Sequence, residues 1–174
     1  MVKSHLYKTI GSRTLHFRQL DSLLKRIEAC LNSRPLCPES TDPNDLNALT
    51  PGHFLIGGPL TSLPSKDFIN IPDNRLNYWE TIKKLTQLLW KRWSSEYLST
   101  LQQRYKWREE KENLKVGNLV VIKEDNLPPT QWKLGRISEI HLSKDGKCRS
   151  ASVRTSSGVL NRPITKLVYL SIED

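Results

Sequence analysis

From Arg75 to about Trp107 the chain runs without Pro or Gly, and across it Trp79, Ile82, Leu85, Leu89, Trp93, Tyr97, Leu101 and Tyr105 recur at steps of three or four residues. A turn of 3.6 residues gathers such side chains into one stripe, so the run predicts a single long amphipathic helix. Its other faces carry Lys83, Lys84, Lys91, Arg92, Arg104 and Lys106 against the acids Glu80 and Glu96. The helix is therefore expected to be a basic rod with an aromatic seam, able to face a polyanion.

Upstream of the rod the pattern is also helical. Leu20, Leu23, Leu24, Ile27, Cys30 and Leu31 keep helical spacing between Arg13 and Ser33, and the helix should stop at Arg34 because Pro35 disfavours a helical residue before it. Pro38 to Asn47 is rich in turn-forming residues. Thr50-Pro51 then supplies a capping hydroxyl and a first-turn proline for a short helix to about Ile56, closed by Gly57-Gly58, with Phe54, Leu55 and Ile56 expected to point inward. Pro59 to Pro72 reads as an ordered linker pinned by Leu60, Leu63, Phe68 and Ile71.

Downstream, past the charged segment Arg108 to Glu112, the period changes. Asn118–Lys123, Gln131–Ile140 and Arg149–Thr155 have the length and composition of strands, and Val159-Leu160 and Leu167–Leu170 can close the sheet. Val116-Gly117-Asn118, Leu127-Pro128-Pro129 and Lys144-Asp145-Gly146-Lys147 are the turns between them. Five short strands with regular turns predict a small barrel.

The formal net charge of +9 and the sequence pI near 9.6 favour a polyanionic partner, DNA or RNA. No apolar run approaches the roughly 20 residues that span a bilayer, and Met1 to Ile10 lacks the marks of a signal peptide, so an intracellular, nuclear protein with no membrane partner is expected. Cys30, Cys37 and Cys148 are odd in number and lack C-x-x-C spacing, and the four His are scattered. Neither a disulfide framework nor a zinc site is expected. Phosphate binding by the barrel would fall to Lys133, Arg136, Arg149, Arg154, Arg162 and Lys166. Trp132 is either a stacking surface for a base or a core residue at a strand start.

Several runs bring a family into view. Ile27-Glu-Ala-Cys-Leu-Asn-Ser-Arg-Pro-Leu36 and Asp42-Pro-Asn-Asp-Leu-Asn-Ala-Leu-Thr-Pro-Gly-His-Phe-Leu-Ile-Gly57 closely resemble the end of the integrase core in BEL/Pao-type retrotransposon polyproteins. Leu89-Trp-Lys-Arg-Trp-Ser-Ser-Glu-Tyr-Leu98 and Leu101-Gln-Gln-Arg-Tyr-Lys-Trp107 resemble the linker helix of those elements. Leu114-Lys-Val-Gly-Asn-Leu-Val-Val-Ile-Lys123, Gln131-Trp-Lys-Leu-Gly-Arg136 and Asn161-Arg-Pro-Ile-Thr-Lys-Leu167 resemble their C-terminal domain, a domain of unknown function. The likeness covers nearly the whole chain.

The resemblance implies an α+β chain in three parts. Residues 1–58 would be the C-terminal helices of a truncated ribonuclease-H-like core, 59–107 a linker with a long basic helix, and 108–174 a small Src-homology-3-like or chromo-like β-barrel. In that family two Asp and one Glu bind two divalent metals that activate a 3′-hydroxyl for attack on DNA. The family's Glu sits near the start of a helix whose remainder resembles Val2-Lys-Ser-His-Leu-Tyr7, which places it just before Met1, with both Asp further upstream. The expectation is a fragment that is not an enzyme and holds no cofactor. Glu28 is then helix-surface charge, and Asp42 and Asp45 belong to turns and caps.

The function expected is nucleic-acid binding associated with DNA integration, through sequence-nonspecific phosphate contacts and without a small-molecule substrate. Two protein-interaction alternatives stand beside it. One is chromatin targeting, although a methyl-lysine cage needs several aromatics and the barrel offers Trp132 and Tyr169 with Trp107 nearby. The other is self-association with further integrase subunits along the aromatic helix.

Overall fold

The computed structural model describes residues 2–62, 65–102, 114–142 and 148–171. Among these are four helices, α1 (Val2–Ile10), α2 (Phe17–Asn32), α3 (Pro51–Ile56) and α4 (Tyr78–Leu101). Two-residue strands β1 (Cys37–Pro38) and β2 (Ala48–Leu49) pair with each other. Five further strands follow, β3 (Leu119–Ile122), β4 (Lys133–Leu142), β5 (Cys148–Thr155), β6 (Gly158–Pro163) and β7 (Leu167–Tyr169). The backbone divides into two compact units. The first contains Met1–Arg34, Pro51–Glu96 and Asp125–Gln131, and the second contains Pro35–Thr50, Tyr97–Glu124 and Trp132–Asp174.

In the first unit the helix ends follow local chemistry. α2 closes at Ser33, whose hydroxyl donates to Cys30 O at 2.8 Å, two residues before Pro35. α4 opens with a reciprocal box: Glu80 N donates to Asn77 Oδ1 at 3.0 Å, and Asn77 N donates to Glu80 Oε2 at 2.9 Å. The helix thus starts at Tyr78, three residues after the expected Arg75, and Asp73–Arg75 forms a single 3-10 turn instead. The expected continuation past Gln102 to Trp107, with Arg104, Tyr105 and Lys106, lies outside the described residues.

The apolar periodicities translate into burial in both main helices. Leu23, Ile27 and Cys30 of α2 are buried, as are Ile82, Leu85, Leu89 and Trp93 of α4. Trp90 is buried too and donates its indole N–H to Leu127 O at 3.0 Å. Lys84, expected on the basic faces of the rod, is instead buried, with Nζ 2.6 Å from Ile71 O and 2.7 Å from Asp73 Oδ1. Asp73 also accepts from Arg13 at 2.7 Å.

The inward packing expected of Phe54, Leu55 and Ile56 is not what the fold does. They are 74%, 64% and 64% exposed. α3 meets its surroundings through Gly52 instead, where an added Cβ would lie 3.0 Å from Gly58 O, 3.2 Å from Leu60 N and 3.3 Å from Asn32 O. A helix that approaches backbone so closely on its glycine side turns the side chains that follow toward solvent.

The second unit is built on a five-stranded antiparallel sheet in the order β6-β5-β4-β3-β7. Strands β3 to β6 follow each other as a meander, and β7 returns to pair on the free side of β3, with Ile122 opposite both Lys133 and Leu167. Successive side chains of a strand point to opposite faces, and both faces of β3 are covered. Leu119 and Val121 join Ala48, Leu98, Val168 and Leu170, while Val120 and Ile122 join Ile137, Ala151, Val153 and Leu167. That explains why Leu119–Ile122 is continuously apolar rather than alternating.

Two register shifts in the β4–β5 ladder, between Ile137 and Glu139 and between His141 and Leu142, add local bend and twist. β4 and β5 come very close at Gly135, where a Cβ would sit 2.7 Å from Arg154 O. The sheet curls: Leu160 of β6 packs into the cluster that holds Leu167 of β7, and Arg162 near the end of β6 reaches Glu124, two residues past β3. The turn expected at Lys144–Lys147 lies outside the described residues. Among the described residues no helix is long and apolar enough to cross a membrane.

Candidate nucleic-acid interface

The site residues expected from the sequence fall into separate groups once the sheet is formed. The first gathers where β3 ends and β4 begins. Lys123 follows β3, and its backbone N–H donates to Lys166 O at 2.8 Å, tying the end of β3 to the 3-10 turn Ile164–Lys166. Glu124 comes next. Lys133, the first residue of β4, donates to Glu124 Oε1 at 2.8 Å, and Arg162 Nη2 lies 3.4 Å from the same oxygen. Lys123 Nζ is 3.0 Å from Ser99 Oγ.

Two cations, Lys133 and Arg162, thus meet on one carboxylate. Lys166 is exposed, while Lys123, Lys133 and Arg162 are half-buried. The ammonium of Lys133, through its hydrogen bond and its charge, together with Arg162 holds the Glu124 carboxyl below its ordinary range, so this acid is ionised at neutral pH and partly cancels the cations around it. Excess positive charge remains, and an arriving phosphate would meet side chains already brought together.

Arg136 and Arg154 form the second group and do something different. They are cross-strand partners on β4 and β5, a juxtaposition of like charge that is tolerable because both reach across to the loop 40–45. Arg136 is 7% exposed and donates to Asp45 O at 2.6 Å, Gly117 O at 2.9 Å and Ser40 O at 3.1 Å. Arg154 donates to Pro43 O and to Asn44 Oδ1, the latter at 3.1 Å. The loop is further ordered by Asx turns, with Asn44 N on Asp42 Oδ1 at 2.8 Å and Asn47 N on Asp45 Oδ1 at 2.9 Å. The Asn47 N–H and the Ser40 hydroxyl, with Arg136 nearby, lower the Asp45 carboxyl below its usual range.

Arg149 stands at the exposed start of β5, next to Ser150, which pairs with Pro163. Trp132 is half-buried against the core cluster, edge-to-face with Tyr97 at 5.9 Å, so the core alternative describes its surroundings. Lys123 and Glu124 were not among the residues expected from the sequence. Lys123 was legible as the charged end of an apolar strand, but the role of Glu124 depends on β4 and β6, which no local pattern reports.

Cys30, Cys37 and Cys148 form no disulfide with one another. Burial pushes Cys30 up to about 12, which removes it as a nucleophile at neutral pH. Among the described residues no three His, Cys, Asp or Glu are grouped to hold a metal ion.

The helices and the five-stranded sheet define a basic α+β protein in which Lys133 and Arg162 meet on Glu124. Residues 77–170 match a family of unknown function, DUF5641, and the chain belongs to it. The matched stretch runs from Asn77, which caps α4, to Leu170, a residue of the sheet core. No curated protein and no solved structure matches the chain.

Proposed function

We propose that the chain is a non-catalytic nucleic-acid-binding fragment of a BEL/Pao-type retrotransposon integrase, acting in the nucleus beside other integrase subunits. The observation that carries the reading is the meeting of Lys133 and Arg162 on Glu124, next in sequence to Lys123, whose backbone N–H is bonded to Lys166 O. Its chemistry suits phosphate. Contacts of Lys and Arg to phosphate carry no base information, so such binding follows backbone charge rather than sequence. The curl of the sheet, with β7 on β3 and Leu160 sharing a core with Leu167, supports a small barrel of the Src-homology-3-like kind.

The test is a fluorescence-anisotropy titration of the full chain on short duplex DNA across a salt series. Engagement of about four phosphates gives a log–log salt slope of about −3 to −4, and the double variant Lys133→Glu/Lys166→Glu should weaken binding by at least about tenfold. No binding at low salt, or the same affinity in the double variant, rejects the reading.

A second reading is favoured by one observation. The exposed segment Phe54-Leu55-Ile56 is unusual for a solvated surface and suits self-association. Sedimentation over a concentration series separates it from the first, since it needs no DNA.

A further inference from the structure

In the first unit, at the opening of α4, Tyr78 and Trp79 form an edge-to-face pair with ring centroids 5.0 Å apart and an interplanar angle of 82°. Both are exposed. Trp79, at 57%, is the one exposed tryptophan among the described residues. The indole does not belong to the seam that Ile82, Leu85 and Leu89 bury, although its spacing placed it there. Perpendicular rings leave an open corner in which a flat group can lie on one ring with its edge toward the other.

Two cations stand one on either side of this pair in sequence. Arg75 is exposed on the turn before the helix, and Lys83 lies one helical turn beyond Trp79 on the same face. The Lys83 ammonium sits 5.9 Å above the Phe68 ring. The nearby acids are engaged: Asp73 by Arg13 and Lys84, Glu80 by the Asn77 backbone, and Asp67 by the Ile69 N–H at 2.8 Å. The Asn77 side chain takes the Glu80 N–H, so the feature rests on rings and cations rather than on the helix end.

We propose that Tyr78 and Trp79, flanked by Arg75 and Lys83, bind single-stranded nucleic acid by stacking an unpaired base on the indole. A base in a duplex has its faces covered by its neighbours, whereas an unpaired base offers a free π-face, and a flanking cation holds the adjoining phosphate. This chemistry differs from the phosphate contacts proposed for the sheet. It involves different residues in the other unit, and the two proposals stand or fall separately.

The experiment compares the full-length chain with Trp79→Ala and Trp79→Phe on a fluorescein-labelled oligothymidine and on a duplex of the same length, at one salt concentration. The proposal expects Trp79→Ala to weaken oligothymidine binding by about tenfold, the order expected for one lost stacked base. Duplex affinity should stay unchanged, and Trp79→Phe should retain most of the single-strand affinity. An exposed side chain can be changed without loss of the fold, and a circular-dichroism melt of each variant checks this. The proposal is overturned if wild type does not bind the oligothymidine, if Trp79→Ala binds it as well as wild type, or if both ligands weaken alike. It is equally overturned if Trp79→Ala abolishes a concentration-dependent self-association and leaves oligonucleotide binding intact, which would assign the aromatic corner to a second copy of the chain.

Discussion

Arg136 and Lys133 illustrate how burial divides residues of one chemical type. They lie three positions apart on β4, and both are cations in a basic chain. One is fenced by three carbonyls, the other faces a carboxylate at the edge. Replacing Arg136 with Met leaves buried carbonyl oxygens without donors, so it should destabilise the protein by about 3 kcal/mol in a denaturant titration. Arg136→Lys should recover only part of this, because an ammonium cannot reproduce the fork. DNA affinity per folded molecule should not change.

Glu124 makes a pH prediction. Its folded-state pKa is depressed, first by the Lys133 hydrogen bond, so the stabilisation it supplies is complete at neutral pH. It is lost as the pH drops below the ordinary glutamate value of 4.5 and through the lower folded value. Because the pair is partly solvated, Glu124→Gln should lower stability at pH 7 by no more than about 1 kcal/mol. Melts from pH 7 downward should show wild type and variant converging in acid, and a constant gap would contradict the assignment.

Among the elements, the strands and long helices were legible because period and burial agree over many residues. The expected strands at 118–123, 131–140 and 149–155 lie within two residues of β3, β4 and β5 at every edge. Their pairing was not legible, since it depends on residues far apart in the chain. Gly135 is the clearest case. It reads as a weak point inside a strand pattern, yet β4 and β5 are in contact there because it has no side chain. Gly135→Ala should force Val153 and the Arg154 backbone aside and destabilise the unit by about 1–3 kcal/mol, measured by chemical unfolding. α3 is the opposite case. Its start and end were readable from Thr50-Pro51 and Gly57-Gly58, but six residues are too few for periodicity to say which side faces in, and Gly52 decided it.

For the molecule as a whole, the sheet unit recruits chain from both sides of α3. Ala48, Leu98 and the half-buried Tyr97 and Leu101 cover one face of β3, the Tyr97 hydroxyl donates to Pro35 O at 2.8 Å, and Gln102 donates to Thr165 O at 2.9 Å. A segment limited to residues 108–174 lacks all of these. It should melt at least several degrees below the full chain and bind a hydrophobic dye on the uncovered face of Leu119, Val121 and Val168. An equal melting temperature would mean that the covering residues add little.

The sequence by itself determined the kinds of the longer elements and, to within a few residues, the positions of α2, α3, the start of α4 and β3 to β5. It also determined the excess of positive charge, because periodicity, caps, breakers and composition act over a few residues or none. Tertiary structure alone decided which cations are surface and which are struts, that Trp79 faces outward while Trp93 does not, and that residues 35–50 belong with the sheet. Burial depends on neighbours distant in the chain, so residues of one type that look alike in sequence become an exposed cation, an ion-pair partner or a buried clamp only when the strands meet.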